Sequence, residues 1–379
     1  MEAGVSLGAI VRKMSGRLLD AGPLAPYQLR ALRAIADCRT PALGGHRDRC
    51  TCCAHEHLLW NSCRNRHCPG CGGEARAAWL EAREEDVLDV PYFHAVFTIP
   101  EQLNALVLHA PAVLYAILIR AAGESLLSVA RTRLRATLGV LAVLHTWGQT
   151  LSFHPHVHCV VTGGGLSLDG QKWVRLRKLT FLLAVKVLSR RFRSEVTAAV
   201  RGAVRDGSLT FPPSIPDNSA LERLLEASCR SDWHAYLKKP FGGPAQVLAY
   251  LASYTHRIAI SNSRIVAFDG RDVTFRWRDY RQAYASKTMT LDALAFLRRF
   301  AMHIVPPRFV RVRYFGFLAN RIRRESVTRA RLLIASRTSL RRTDTTKPPR
   351  RQCQQCHQGT MVMYVRIERT LERTWFDSS

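Results

Sequence analysis

Apolar residues recur along this chain with two different periods, and the switches between them mark out the predicted elements. Beyond Pro91 the run YFHAVFTI is rich in aromatic and β-branched residues and reads as a strand. Ala112 to Arg133 carries apolar residues three and four apart, the mark of a helix with one buried face. LGVLAVLHTWG and HVHCVVT then read as two strands joined by a short connection. Lys178 to Val204 reads as helix, FPPSIPDNS as a loop, and Ala220 to Lys238 as another helix. Past Gly242-Gly243-Pro244 a further helix is expected from Ala245 to about Tyr254. RIVAF and VTFRW flank a turn at Asp269-Gly270 and predict a hairpin.

Composition divides the chain into three regions. Residues 1–90 hold a Cys/His cluster and a charged connecting helix, EARAAWLEAREEDVL. Residues 91–307 carry the alternating strands and helices, and residues 308–379 form a basic C-terminal region with a lone C-x-x-C. From Arg298 to Arg351 there are sixteen Lys and Arg but only two acids, Glu325 and Asp344. Over the whole chain 56 Lys and Arg oppose 29 Asp and Glu, a net charge of +27. A field of that sign attracts polyanions, and nucleic acid is the first of these. The hydrophobic share of 47% leaves ample material for a core. Met1 to Leu19 lacks the apolar core of a secretory leader, and Leu103 to Ile119 is interrupted by His109 and Pro111. A cytoplasmic protein with no membrane partner is expected.

Seven of the eleven cysteines lie between Cys38 and Cys71. In a reducing compartment such crowding argues for metal ligation over disulfides. Cys50/Cys53 and Cys68/Cys71 form two C-x-x-C pairs with fourteen residues between them, near the spacing of zinc ribbons. Four thiolates would close a tetrahedral site, and such a site is structural because no position stays open. Cys38, His46, Cys63 and His67 are left over; they form an interleaved second zinc site or are ordinary solvated and buried side chains. Cys52 breaks the spacing. Cys353 and Cys356 make half a site, with His357 a neighbouring donor.

The segment HPHVH sets His154, His156 and His158 two residues apart, which on a strand aligns all three on one face. A core strand has little use for a row of imidazoles, so His156 and His158 read as ligands of a cation. His145 ends the preceding predicted strand, eleven residues before His156, and a hairpin would return it beside the pair. Gln149 and His154 are rival third ligands. Imidazoles alone favour zinc or manganese, whereas a site completed by phosphate and water oxygens takes magnesium or manganese.

AYLASYTHR places Tyr250 and Tyr254 on one face of a helix. Aromatic pairs at this spacing usually pack in a core. Here Arg257 follows with a cation suited to phosphate, and the histidine motif lies upstream. A tyrosinate can attack phosphorus when a metal polarises the phosphate, and the phosphotyrosine conserves the bond energy for rejoining. No nucleotide cofactor is needed, in keeping with GLSLDGQK, which only approaches a phosphate-binding loop. Arg276, Trp277 and Arg278 alternate along a predicted strand and are candidates for contact with single-stranded DNA, or simply place arginines in solvent.

Several motifs together resemble the two-tyrosine HUH transposases of the insertion-sequence-ninety-one type. They are GGH, NSCRNRHCPGC, PYFHAVFTIP, LHTWGQTLSFHPHVHCVVTGGG, KKPFGGP, YLASYTHRIAISNSR, TFRWRDYR and KTMTL, spread from about Cys38 to Asn320. The resemblance implies an α+β fold: an HUH endonuclease core with a ferredoxin-like antiparallel sheet, preceded by a small Cys/His zinc-binding domain. It implies that His156 and His158 hold Mg2+ or Mn2+, with His145 supported by the related relaxases, and that Tyr250 and Tyr254 are nucleophiles. It also implies structural Zn2+ in the Cys-rich front end. The activity implied is rolling-circle transposition, in which single-stranded transposon ends are cut and rejoined through 5′-phosphotyrosine links in the bacterial cytoplasm, at the nucleoid. The alternatives are a replication initiator or relaxase of the same chemistry, a metallohydrolase, or a noncatalytic zinc-dependent DNA-binding protein.

Overall fold

A computed structural model describes residues 5–72, 83, 86–238, 246, 247, 250, 257–280, 282, 284–335 and 352–369. The connecting helix expected at 74–88 and the helix expected at 245–254 lie mostly outside the described residues. The chain opens with helices α1 (Leu7–Asp20) and α2 (Pro26–Asp37) and the hairpin β1 (Gly45–Cys50) and β2 (Glu56–Trp60). The central part runs β3 (Tyr92–Thr98), α3 (Asn104–His109), α4 (Pro111–Leu134), β4 (Ala136–Trp147), β5 (Phe153–Ser167) and β6 (Trp173–Arg175). It continues through α5 (Val185–Arg205), α6 (Asn218–Cys229) and β7 (Ala235–Lys238). Then follow β8 (Ile265–Phe268), β9 (Asp272–Asp279), β10 (Ala285–Asp292) and α7 (Ala293–Ala301). The last elements are β11 (Val312–Gly316), α8 (Arg323–Ala335) and β12 (Met361–Ile367).

The fold is α+β, with antiparallel sheets. The largest has the order β11-β4-β5-β3-β7, with β6 added to β5. Its strands alternate strictly between two faces. Phe93, Ala95 and Phe97 of β3, Val140, Ala142 and Leu144 of β4, and Val157, Cys159 and Val161 of β5 enter one core with α4 and α5. Residues one position along point the other way: Tyr92, Leu141, Val143 and Val160 meet Val247, Phe317 and Val327 in a second core. Burial on both faces explains why these strands read as nearly continuous apolar runs. Helix α4 is held to the first face by Leu118, Ile119, Leu126 and Leu127, each buried. It begins at Pro111, whose missing N–H costs nothing in a first turn, and stops where Arg135 turns left-handed at φ 53°. By length and composition α4 could cross a membrane. Its packing against the sheet accounts for that composition.

Three expectations need correction. The helix expected from Ala220 to Lys238 ends at Cys229, and residues 235–238 pair with β3 as β7. Trp233 causes the break: its indole packs on Phe192 and its Nε1–H donates to Ser228 O at 2.8 Å, turning the chain toward the open sheet edge. The helix expected from Lys178 starts only at Val185, because Leu182 and Leu183 enter the core ahead of it. A boundary after residue 307 would cut the sheet, since β11 pairs with β4 and β12 returns to β1. Within residues 1–90 the described elements meet two different partners. Helices α1 and α2 pack with α7 and the β8-β9-β10 sheet around Leu7, Ile10, Phe275, Phe296 and Phe300. Strands β1 and β2 share a sheet with β12 instead.

Candidate metal centres and nucleophile

The histidine site is built by strand register. In the β4–β5 ladder His145 lies directly opposite His156, and Val143 opposite His158. Directly opposed residues share a face, so all three imidazoles project from the side of the sheet away from α4. Their ligand nitrogens lie within 4.8 Å of one another. Ring centroids are 4.5 Å apart for His145 and His158 and 4.8 Å for His156 and His158. His145 also stacks on Trp147 at 4.7 Å, which fixes its ring plane.

Neither rival third donor belongs to this converging trio, although the His154 ring lies 5.2 Å from that of His156. Gln149 Nε2 donates to Tyr280 Oη at 2.5 Å, and its Oε1 accepts from the Arg278 N–H. His154 contributes its backbone carbonyl, which accepts from His156 Nδ1 at 2.6 Å.

A fourth imidazole, not anticipated, completes the group. His94 on β3 is buried, stacks on His158 with rings 6° from parallel, and its Nε2 lies 2.8 Å from His158 Nδ1. The signal in the sequence was slight: one histidine inside the otherwise apolar strand YFHAVFTI. With Nδ1 engaged on both His156 and His158, Nε2 is the remaining nitrogen of each ring. Burial lowers the pKa of His156 to about 4, with the nearby charges of His154 and Arg257 adding to it, and lowers His94 to about 3. His158 falls well below its ordinary value for the same first reason, helped by the facing imidazoles and Arg257. The rings are therefore neutral at pH 7, the state in which a lone pair is free for a cation. Three converging imidazoles fit a divalent transition ion and leave positions open to oxygen donors.

Tyr250 sits at the edge of this group, its ring 4.9 Å from that of His94. Tyr254 lies outside the described residues. Of the DNA-contact candidates, Arg257 stands within electrostatic reach of His156 and His158. On β9 the inward position is Phe275, in the core, while Arg276 and Arg278 are exposed. Trp277 is half-buried beneath Lys287 Nζ, 5.6 Å from its ring.

The cysteines form two clusters, and the pairing expected from spacing is corrected. Cys50 and Cys53 do not meet Cys68 and Cys71. Cys68 and Cys71 gather with Cys38 and Cys63, and Cys50 and Cys53 gather with Cys353 and Cys356. The physical reason is topological: β1 and β2 carry the first knuckle away as a hairpin, toward β12. In the first cluster Cys71 Sγ is 3.4 Å from Cys38 Sγ and 3.6 Å from Cys63 Sγ. The histidines once grouped with them stand apart. His46 pairs with Asp48 at 3.6 Å, and His67 is buried with its backbone N–H donating to Asn65 Oδ1. Arg66 anchors this loop, donating to Phe309 O at 2.6 Å and Pro306 O at 3.0 Å.

Residues 10–99 match the family described as "Transposase zinc-binding domain" of the IS91 type, and residues 139–326 that described as "Putative transposase". "Putative transposase y4qJ" of Sinorhizobium fredii (strain NBRC 101917 / NGR234) is 42% identical over 358 residues, 89% of each chain. "Transposase for insertion sequence element IS801" of Pseudomonas savastanoi pv. phaseolicola is 34% identical over 312 residues, 80% of this chain and 73% of that one. The chain belongs to the IS91 family of transposases. No solved structure matches it. As a transposase it is a DNA-cleaving enzyme, and its charge of +27 suits a polyanionic partner. Its N-terminal domain is a zinc-binding one, and the cluster of Cys38, Cys63, Cys68 and Cys71 lies wholly inside the matched residues. The histidine site straddles the matches, His94 in one and the other three imidazoles in the second.

Proposed function

We propose that this transposase cuts and rejoins single-stranded DNA through a 5′-phosphotyrosine link, with Tyr250 and Tyr254 as nucleophiles and His145, His156 and His158 as ligands of Mg2+ or Mn2+. One observation carries this reading: Tyr250 packs on His94, which is hydrogen-bonded to His158, one of three convergent imidazoles. Cys38, Cys63, Cys68 and Cys71 hold the structural zinc of the front end.

The bound cation supplies charge stabilisation to the phosphate under attack. The protein's own groups do the rest. His94 engages His158 Nδ1 and so directs Nε2 into the site, and the His154 carbonyl does the same for His156. Arg257 brings a second positive charge against the phosphate. The tyrosine oxygen, its proton passed to solvent, bonds to phosphorus as the P–O3′ bond breaks. The departing oxygen takes up a proton and leaves as a free 3′-OH. Reversal with another 3′-OH rejoins the strands, so two tyrosines let one chain hold two strands at once.

The experiment is adduct formation with a single-stranded transposon-end oligonucleotide. Wild-type protein should give a covalent species that maps by mass spectrometry to Tyr250 or Tyr254 on a 5′-phosphate. Tyr250→Phe plus Tyr254→Phe should bind the oligonucleotide with unchanged affinity and form none. Transposition at normal frequency by the double variant would end the tyrosine mechanism.

A further inference from the structure

The second cysteine cluster lies only half inside the zinc-binding match. Cys50 and Cys53 fall within residues 10–99, but Cys353 and Cys356 follow some 300 residues later. We propose that Cys50, Cys53, Cys353 and Cys356 hold a second structural zinc ion, which clasps the C-terminal segment onto the N-terminal hairpin.

Four independent features support the site. The sulfurs are at ligand spacing: Cys50 to Cys356 is 3.6 Å and Cys53 to Cys353 is 3.8 Å. A tetrahedron with Zn–S near 2.3 Å places its sulfurs about 3.8 Å apart. Backbone N–H groups turn inward on the thiolates, from Cys52 to Cys50 Sγ at 3.3 Å, Gln355 to Cys353 Sγ at 3.4 Å and Gly359 to Cys356 Sγ at 3.4 Å. Such donors favour charged sulfur, the form that binds metal.

The backbone is bent to suit. Ala54 after Cys53 and His357 after Cys356 both take the left-handed conformation, at φ 54° each. Arg39 after Cys38 and Arg64 after Cys63, in the first cluster, do the same at φ 57° and 52°. Non-glycine residues resist this region, so the recurrence of one costly bend after a clustered cysteine marks a common knuckle. Gly359 is pressed so close that a Cβ there would collide with Cys50 Sγ.

The two knuckles also form a single small body. Strand β12 pairs with β1 from Gly45 opposite Ile367 to Cys50 opposite Met361. Thr51 N–H donates to Thr360 O, and Thr360 N–H to Thr51 Oγ1, each at 3.1 Å. A three-stranded sheet with so little apolar burial on β2 and β12 needs a staple, and metal binding supplies one.

The test uses freshly purified full-length protein, with elemental analysis and alkylation by iodoacetamide under native conditions. Two zinc ions per chain are expected. Cys52, exposed beside the cluster, should label quickly, while Cys50, Cys53, Cys353 and Cys356 label only after a chelator is added. Cys356→Ser should carry one zinc and expose Cys50, Cys53 and Cys353, leaving Cys38, Cys63, Cys68 and Cys71 protected. Should that variant be insoluble, labelling of the wild-type protein decides alone. One zinc per chain with Cys353 and Cys356 labelling as fast as Cys52 overturns the proposal. So would Cys50–Cys356 or Cys53–Cys353 disulfides, seen as a loss of two hydrogens per pair in protein kept under reductant.

Discussion

The histidine site and the cysteine clusters are both candidate metal centres, yet they are assembled in opposite ways. His145, His156 and His158 come from two neighbouring strands, and the register that opposes His145 to His156 is local. Strand period and one hairpin suffice to bring them together. The cysteine clusters draw on half-sites whose partners are set by the whole topology. Cys50/Cys53, Cys68/Cys71 and Cys353/Cys356 are three C-x-x-C pairs, and spacing does not label which joins which. Proximity in sequence favours the first two as partners. The β1–β2 hairpin, pairing with β12, decides otherwise. A local motif thus predicts the ligand type wherever it occurs, but the ligand set only where the connection is short.

The strongest way to break the comparison is to challenge the local assignment of the histidines. His158→Ala should reduce strand cleavage to background while single-strand affinity holds, because basic side chains supply most of the binding. Gln149→Ala should cleave at close to the wild-type rate, since that side chain is committed to Tyr280. His145→Ala should behave like His158→Ala. If instead Gln149→Ala is dead and His145→Ala active, register has misled and the site is not read from the hairpin.

A smaller effect is expected at His94, which touches the site only through His158. His94→Gln should weaken cation binding about 10- to 100-fold, the usual cost of losing the partner that orients a ligand imidazole. Excess Mn2+ should restore the maximal cleavage rate. A direct titration of binding separates this positioning role from a structural one. Unchanged cation affinity with a depressed maximal rate at saturating Mn2+ would contradict it.

The legibility of the molecule follows the same division. β3, α4, β4, β5 and the β8–β9 hairpin were readable because a repeating period lies within each segment. His145, His156 and His158 were readable because that period also fixes their face. β7 was not, since AYLK resembles the end of a helix until Trp233 turns the chain toward a vacant edge. His94 was missed because one imidazole in an apolar strand carries no period of its own. The return of β12 to β1 was beyond reach because nothing in residues 352–367 names a partner 300 positions earlier. Helical spacing pairs Tyr250 with Tyr254 in the sequence, whereas the closeness of Tyr250 to His94 is a tertiary fact.

The smallest expected effect concerns His303, a histidine as deeply buried as His145 but outside the trio. Both are 2% exposed. His145 faces other imidazoles, whereas His303 sits between a hydroxyl and a carbonyl: Nδ1 is 3.2 Å from Thr146 Oγ1 and Nε2 donates to Leu151 O at 3.1 Å. Trp147 and Phe153 flank its ring, and His67 is the titratable group within electrostatic reach. Burial lowers the His303 pKa to about 4, against the hydrogen bond to Leu151 O, which acts the other way. An unfolded chain protonates this ring near pH 6.5, so between 6.5 and 4 it binds more protons than the folded one. Stability is therefore full above the unfolded value and is lost as pH falls toward the folded one. Between pH 7 and 5.5 the loss should be about 1 kcal/mol. Other buried histidines add losses of the same sign, so the measurement is a difference. His303→Gln keeps a donor for Leu151 O and removes the titration. It should be less stable than wild type at pH 7, and that gap in denaturant unfolding should narrow by about 1 kcal/mol at pH 5.5. A gap that stays constant with pH would mean that His303 does not change its proton affinity on folding, and that its burial is less complete in solution than its packing against Trp147 and Phe153 implies.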